Sequence, residues 1–116
     1  MSRDIFLSDE YGWSATSGLF DWVVEFLLET VDDLQVREQL ELAHEGRIEV
    51  LNFKSLSDSG RKEVLQVLSK QLRTVAESRL ASTLRRRRVP ESDLRFYVGH
   101  VKALALMGED LATTGG

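Results

Sequence analysis

Cysteine is absent from the chain, which excludes disulfide bridging and thiolate metal clusters and makes a reducing cytosol the easiest compartment to reconcile with the composition. Histidine occurs only at His44 and His100, on different predicted helices. Tight sets of zinc or iron ligands are therefore missing, and neither histidine lies beside a G-x-S-x-G elbow that would suggest a triad. Glycines stand singly at positions 12, 18, 46, 60, 99 and 108 before a terminal pair, so neither phosphate-cradling loop pattern is present. Long apolar runs are missing too. Residues 19–28 are interrupted by Asp21 and Glu25 and fall short of the roughly 20 apolar residues of a bilayer span. The run Ile5, Phe6, Leu7 is too short, and its surroundings too acidic, for a secretory signal. These absences point to a cytoplasmic protein with no cofactor, no metal and no membrane passage.

What is present is globular. Of 116 residues, 42% are hydrophobic and 29% charged, far from the composition of disordered chains and enough for one domain with one core. The net charge of −4 conceals an asymmetry. Residues 1–46 hold 11 acidic and 2 basic side chains, net −9, and residues 47–116 hold 8 and 13, net +5. Such a division marks a charged partner surface, unless the two halves cancel on packing.

Periodicity predicts a mainly α fold, a compact bundle of about four helices spanning 1–116, with a frayed tail from about 112. Residues 3–16 lack helical spacing and read as an extended lead-in and a loop. A first helix begins near Ser17, an N-cap type, and runs to about Thr30; its only polar stripe is Asp21, Glu25 and Glu29, so it should be the most buried. Asp32 and Asp33 can cap a second helix, which carries Val36, Leu40 and Ala43 on one face and is ended by Gly46. Residues 47–52 alternate weakly, and either form a two-stranded ribbon with residues 4–7 or run as an extended loop. A third helix follows the turn-like Ser57, Asp58, Ser59 and Gly60 and continues to about Leu84. At about 25 residues it would measure roughly 38 Å, long enough for its end to project from a compact body. Pro90 opens a fourth, whose Leu94, Tyr97, Val98, Val101, Leu104, Ala105 and Gly108 recur every three or four residues. That face either completes the core or makes a homodimer.

No catalytic set emerges. Asp21 with Glu25 and Glu25 with Glu29 could hold a metal or perform acid–base work, but such a stripe is more often a solvated helix face. The strongest charge signal is Arg85, Arg86, Arg87 and Arg88, which could engage nucleic-acid phosphates in a regulatory protein. Against this, no aromatics are interleaved in sequence with the arginines, and cations also suit a helix C-terminus. Asp9, Glu10, Tyr11 and Trp13 place two interface-favoured aromatics among acids in a segment read as loop.

Trp13, a polar turn, then Phe20, Trp22, Val23, Val24, Phe26 and Leu27, followed by residues 48–53 and a serine-rich helix start with Leu65, Leu68 and Leu72, make a combination. It resembles small cytoplasmic immunity proteins that bacteria keep beside polymorphic or contact-dependent toxins. The resemblance implies a noncatalytic protein that binds a cognate toxin domain and blocks its active site or substrate approach. An acidic, aromatic surface would suit a basic toxin domain. On that reading, Asp9, Glu10, Tyr11, Trp13, Asp32 and Asp33 are the partner-binding candidates.

Overall fold

The structure, a computed structural model, describes residues 2–113. Residues 3–16, expected as a lead-in and loop, instead form a hairpin. Strand β1 (Ser2–Phe6) pairs antiparallel with β2 (Gly12–Thr16), and Ile5 lies opposite Trp13. The turn closes through the Leu7 N–H to the Tyr11 carbonyl at 3.0 Å, and the Ser8 hydroxyl accepts the N–H groups of Glu10 and Tyr11 at 3.2 Å each. In β2 the side chains alternate: Trp13 and Ala15 face inward, and Gly12, Ser14 and Thr16 outward. A Cβ on Gly12 would come within 2.9 Å of the Phe6 ring, because Phe6 folds over its cross-strand glycine.

The expected two-stranded ribbon is correct in one pairing and incomplete as a sheet. Strand β3 (Val50–Asn52), shorter than 47–52, lies parallel to β1 with Asp4 opposite Val50, giving three strands in the order β2-β1-β3.

Four helices make up the rest. α1 (Ser17–Thr30) starts one residue after its N-cap, which is Thr16 and not Ser17, and Thr16 makes no side-chain capping bond. Its Phe20, Val23, Val24 and Leu27 are completely enclosed. α2 (Leu34–His44) is capped by Asp33, whose carboxylate accepts the Val36 N–H at 3.1 Å. It ends at Gly46, which takes φ +78° while the Arg47 N–H returns to the Leu42 carbonyl. After a 3₁₀ turn (Phe53–Ser55), α3 covers residues 58–86. Ser57 is its N-cap, so Asp58, Ser59 and Gly60 form its first turn and not a preceding loop.

α3 is wound as π-helix over Leu68–Leu72 and Ala76–Leu80, with φ and ψ remaining near helical values. At 1.5 Å per residue it measures roughly 43 Å, close to the 40 Å longest dimension of the molecule. Its end does not project: Leu80 and Ala81 are buried, and Leu84 packs on the core. The chain then reverses at Arg88, a non-glycine residue at φ 60°, with the Val89 N–H on the Leu84 carbonyl. α4 (Glu91–Thr113) follows Pro90, whose carbonyl receives the Leu94 N–H. Ala112 and Thr113, expected to fray, are helical, and residues 114–116 lie outside the described residues.

The repeating face of α4 completes the core, with Leu94, Val101, Leu104, Ala105 and Leu111 buried. Ion pairs Glu77–Lys102 at 2.8 Å and Arg73–Glu109 at 3.2 Å tie α4 to α3. Hydrogen bonding and attraction from Lys102 hold the Glu77 carboxyl below the ordinary glutamate value. Its contribution to stability is therefore present at neutral pH and lost as pH falls through that lowered value.

Candidate functional site

α3 runs the length of the molecule, so its two ends define two poles of different charge. At the N-terminal pole, four segments meet. Glu63, in the second turn of α3, accepts the backbone N–H groups of Asp32 and Asp33 at 3.1 and 2.9 Å. Gly60 approaches α2 so closely that a Cβ would lie 3.0 Å from the Asp33 carboxylate. Arg61 donates to the Leu7 carbonyl at 3.4 Å, fastening the hairpin turn beside α3. The Tyr11 hydroxyl donates to the Asp110 carboxylate, bringing in the end of α4.

This end therefore gathers acids that lie far apart in the chain. Asp9 has 93% of its side chain open even though Lys54 sits 3.1 Å away. Glu10 and Asp32 are exposed, and Asp33 and Tyr11 are half-buried. Asp58, Glu63 and Asp110 join them, residues whose spacing gave no indication of proximity. The pole is not uniformly acidic, since Arg61 and Lys62 line a cleft of about 530 Å³ with Leu65 and Leu111 between α3 and α4.

Trp13 does not belong to this surface. The expectation that it is a contact anchor is overturned by its 2% exposure. It sits on the inward side of β2, its indole N–H donates to the His100 carbonyl at 2.8 Å, and its ring stacks on the His100 imidazole with centroids 5.0 Å apart. The open apolar side chain near these acids is Leu34. As the first residue of α2, directly after Asp32 and Asp33, it is 83% exposed and the most open large hydrophobic side chain described. Its position before the apolar repeat of α2 was the available signal.

The hydrogen bond to Asp110 raises the Tyr11 pKa, because the ionised carboxylate requires the phenol to keep its proton. The favourable contact is thus present through the neutral range and lost as pH rises through the raised value. In a spectroscopic titration of tyrosinate absorbance, Asp110→Asn is expected to move the Tyr11 midpoint down toward the ordinary tyrosine value. An unchanged midpoint would show that the contact does not form.

At the opposite pole, Arg85, Arg86, Arg87 and Arg88 are all exposed. Arg85 pairs with Glu91 at 3.7 Å, and among the described residues no ion pair joins the four to the acidic half. The halves are bridged elsewhere, by Lys54–Asp9 and Arg79–Glu29.

The histidines take separate positions. His44 lies 3.3 Å from Glu25 on the surface, and the His100 ring lies between Trp13 and Phe96 with Nε2 on the Ser14 carbonyl. Of the carboxylate stripe, Asp21 and Glu29 are engaged by Arg3 and Arg79. Among the described residues no group of three or more His, Asp or Glu is placed to hold a metal ion, and no helix is long and apolar enough to cross a membrane. Comparison with protein-family models, curated proteins and solved structures finds no match to this chain, so the reading of its surface rests on its own residues.

Proposed function

We propose that the chain is a noncatalytic protein-binding module of inhibitor type, a cytoplasmic bacterial immunity protein whose acidic pole covers a basic toxin domain. The observation that supports this reading is that the first turns of α3 hold both segments, Glu63 the backbone of Asp32 and Asp33 next to the open Leu34, and Arg61 the hairpin turn that carries Asp9, Glu10 and Tyr11. An exposed leucine beside Asp32 and Asp33 would combine a desolvating contact with electrostatic steering. Carboxylates at this pole would occupy the cations that a nuclease-type toxin uses for its own anionic substrate. Arg61 and Lys62 would set orientation by excluding the wrong approach.

The test is neutralisation in cells that express a basic toxin domain, taken from a gene adjacent to this one. The unaltered chain is expected to restore growth, and the triple variant Asp9→Lys, Glu10→Lys, Asp32→Lys to fail while folding normally. Leu34→Ala is expected to weaken neutralisation and to leave stability within about 0.5 kcal/mol, as for an exposed side chain without partners. Full protection by the triple variant would overturn the placement of the surface.

A further inference from the structure

Arginines and aromatics that are separated in sequence come together at the other pole. α1, the last turns of α3 and the start of α4 leave two adjoining clefts there, with Trp22 and Thr83 lining both. The first, of about 350 Å³, has apolar walls from Leu19, Leu80, Leu84 and Tyr97, with Arg87 also lining it. The second, of about 420 Å³, is polar, lined by Ser78, Ser82, Arg79 and Arg86. Trp22 is held by parallel stacking on Phe26, with centroids 6.1 Å apart and planes 6° from parallel.

The charges around the clefts are unequally committed. Arg79 is engaged by Glu29 at 3.0 Å. Asp21 and Glu25, the acids of the first cleft, face Arg3 at 3.4 Å and His44 at 3.3 Å. Arg86 donates to the Thr83 hydroxyl at 3.4 Å, and among the described residues neither Arg86 nor Arg87 forms an ion pair with a carboxylate. Two arginines without carboxylate partners thus line the clefts that share Trp22.

We propose that this double cleft binds a nucleotide unit, with the aromatic base in the apolar cleft beside Trp22 and Tyr97 and the phosphate at Arg86 and Arg87. A guanidinium fork matches phosphate oxygens, and a flat base stacks on an indole whatever its identity. The cleft volumes are those of small-ligand sites, and the mixture of apolar wall and convergent polar groups is what such sites use. A free nucleotide and one unit of a single strand share this chemistry.

The test titrates the full chain with adenosine monophosphate, adenosine, inorganic phosphate and an oligothymidylate, reading tryptophan fluorescence, and anisotropy for a labelled strand. Adenosine monophosphate or the strand is expected to quench the fluorescence. Adenosine and inorganic phosphate alone should bind at least about tenfold more weakly, since each satisfies half of the site. Tighter binding of the strand identifies nucleic acid as the source, and equal binding identifies the free nucleotide. Arg86→Ala with Arg87→Ala, both exposed positions, should lower affinity about tenfold or more and flatten its dependence on salt. Trp22→Phe should retain binding. The proposal is overturned if neither nucleotide nor strand binds, if the arginine variant binds unchanged, or if inorganic phosphate binds as well as adenosine monophosphate.

Discussion

Trp13→Ala is expected to lower the unfolding free energy by about 3–5 kcal/mol, the range for truncating a large buried aromatic. The indole is 2% exposed, lies opposite Ile5 across the hairpin and rests on His100. Its loss would open a cavity between the sheet and α4. It would also remove the indole hydrogen bond to the His100 carbonyl at 2.8 Å. Trp13→Phe keeps most of the volume but not the donor, and should cost about half as much. Urea unfolding followed by far-UV circular dichroism measures both. A loss below about 1 kcal/mol for Trp13→Ala would mean that Trp13 lies on the surface, as its polar neighbours in sequence suggest.

Two glycines of α4 should respond in opposite directions to the same substitution. Gly99→Ala meets nothing within 4 Å and is expected to stabilise by about 0.5–1 kcal/mol, from helix propensity alone. Gly108→Ala gains the same propensity but places a methyl 2.7 Å from the Leu68 Cβ, on the π-wound segment of α3. Because the obstructing atom is a Cβ and not the end of a flexible side chain, the helices themselves must separate. Overpacking of this kind costs about 1–3 kcal/mol. The net effect is a loss of up to about 2 kcal/mol, and thermal unfolding of the two variants side by side gives the comparison. Stabilisation by both would show that α3 and α4 do not approach closely at Gly108.

The helices were legible because each carried its own signals. Asp33 caps α2, Gly46 takes the left-handed terminating position, and Pro90 starts α4 after an enforced break. Alternation in β2 was obscured by size, since Gly12, Ser14 and Thr16 on the open face and Ala15 on the inner one leave Trp13 as the only large inward residue. β3 is three residues long and reaches β1 only across α1 and α2; its pairing with β1 was one of two readings of residues 47–52, and its parallel direction is not marked by any local pattern.

Surface placement was legible in kind but not in position. Asp9, Glu10, Asp32 and Asp33 were recognisable as acids outside helical faces, yet their neighbourhood depends on Glu63 and Arg61, which sit in the first turns of α3. The arginine cluster was set against nucleic acid because no aromatic lies within it. Trp22 and Tyr97 enter that pole from α1 and α4, through packing that sequence adjacency does not record.

The proposed steering by the acidic pole is tested most directly by the association rate with the proposed basic toxin partner as a function of ionic strength. The account predicts a rate for the unaltered chain that falls steeply with salt. It predicts a slower rate with a shallower slope for Asp9→Lys, Glu10→Lys, Asp32→Lys, and no change for Arg86→Ala, Arg87→Ala. A salt-independent rate, or a slope altered by the arginine pair and not by the acidic residues, would contradict it.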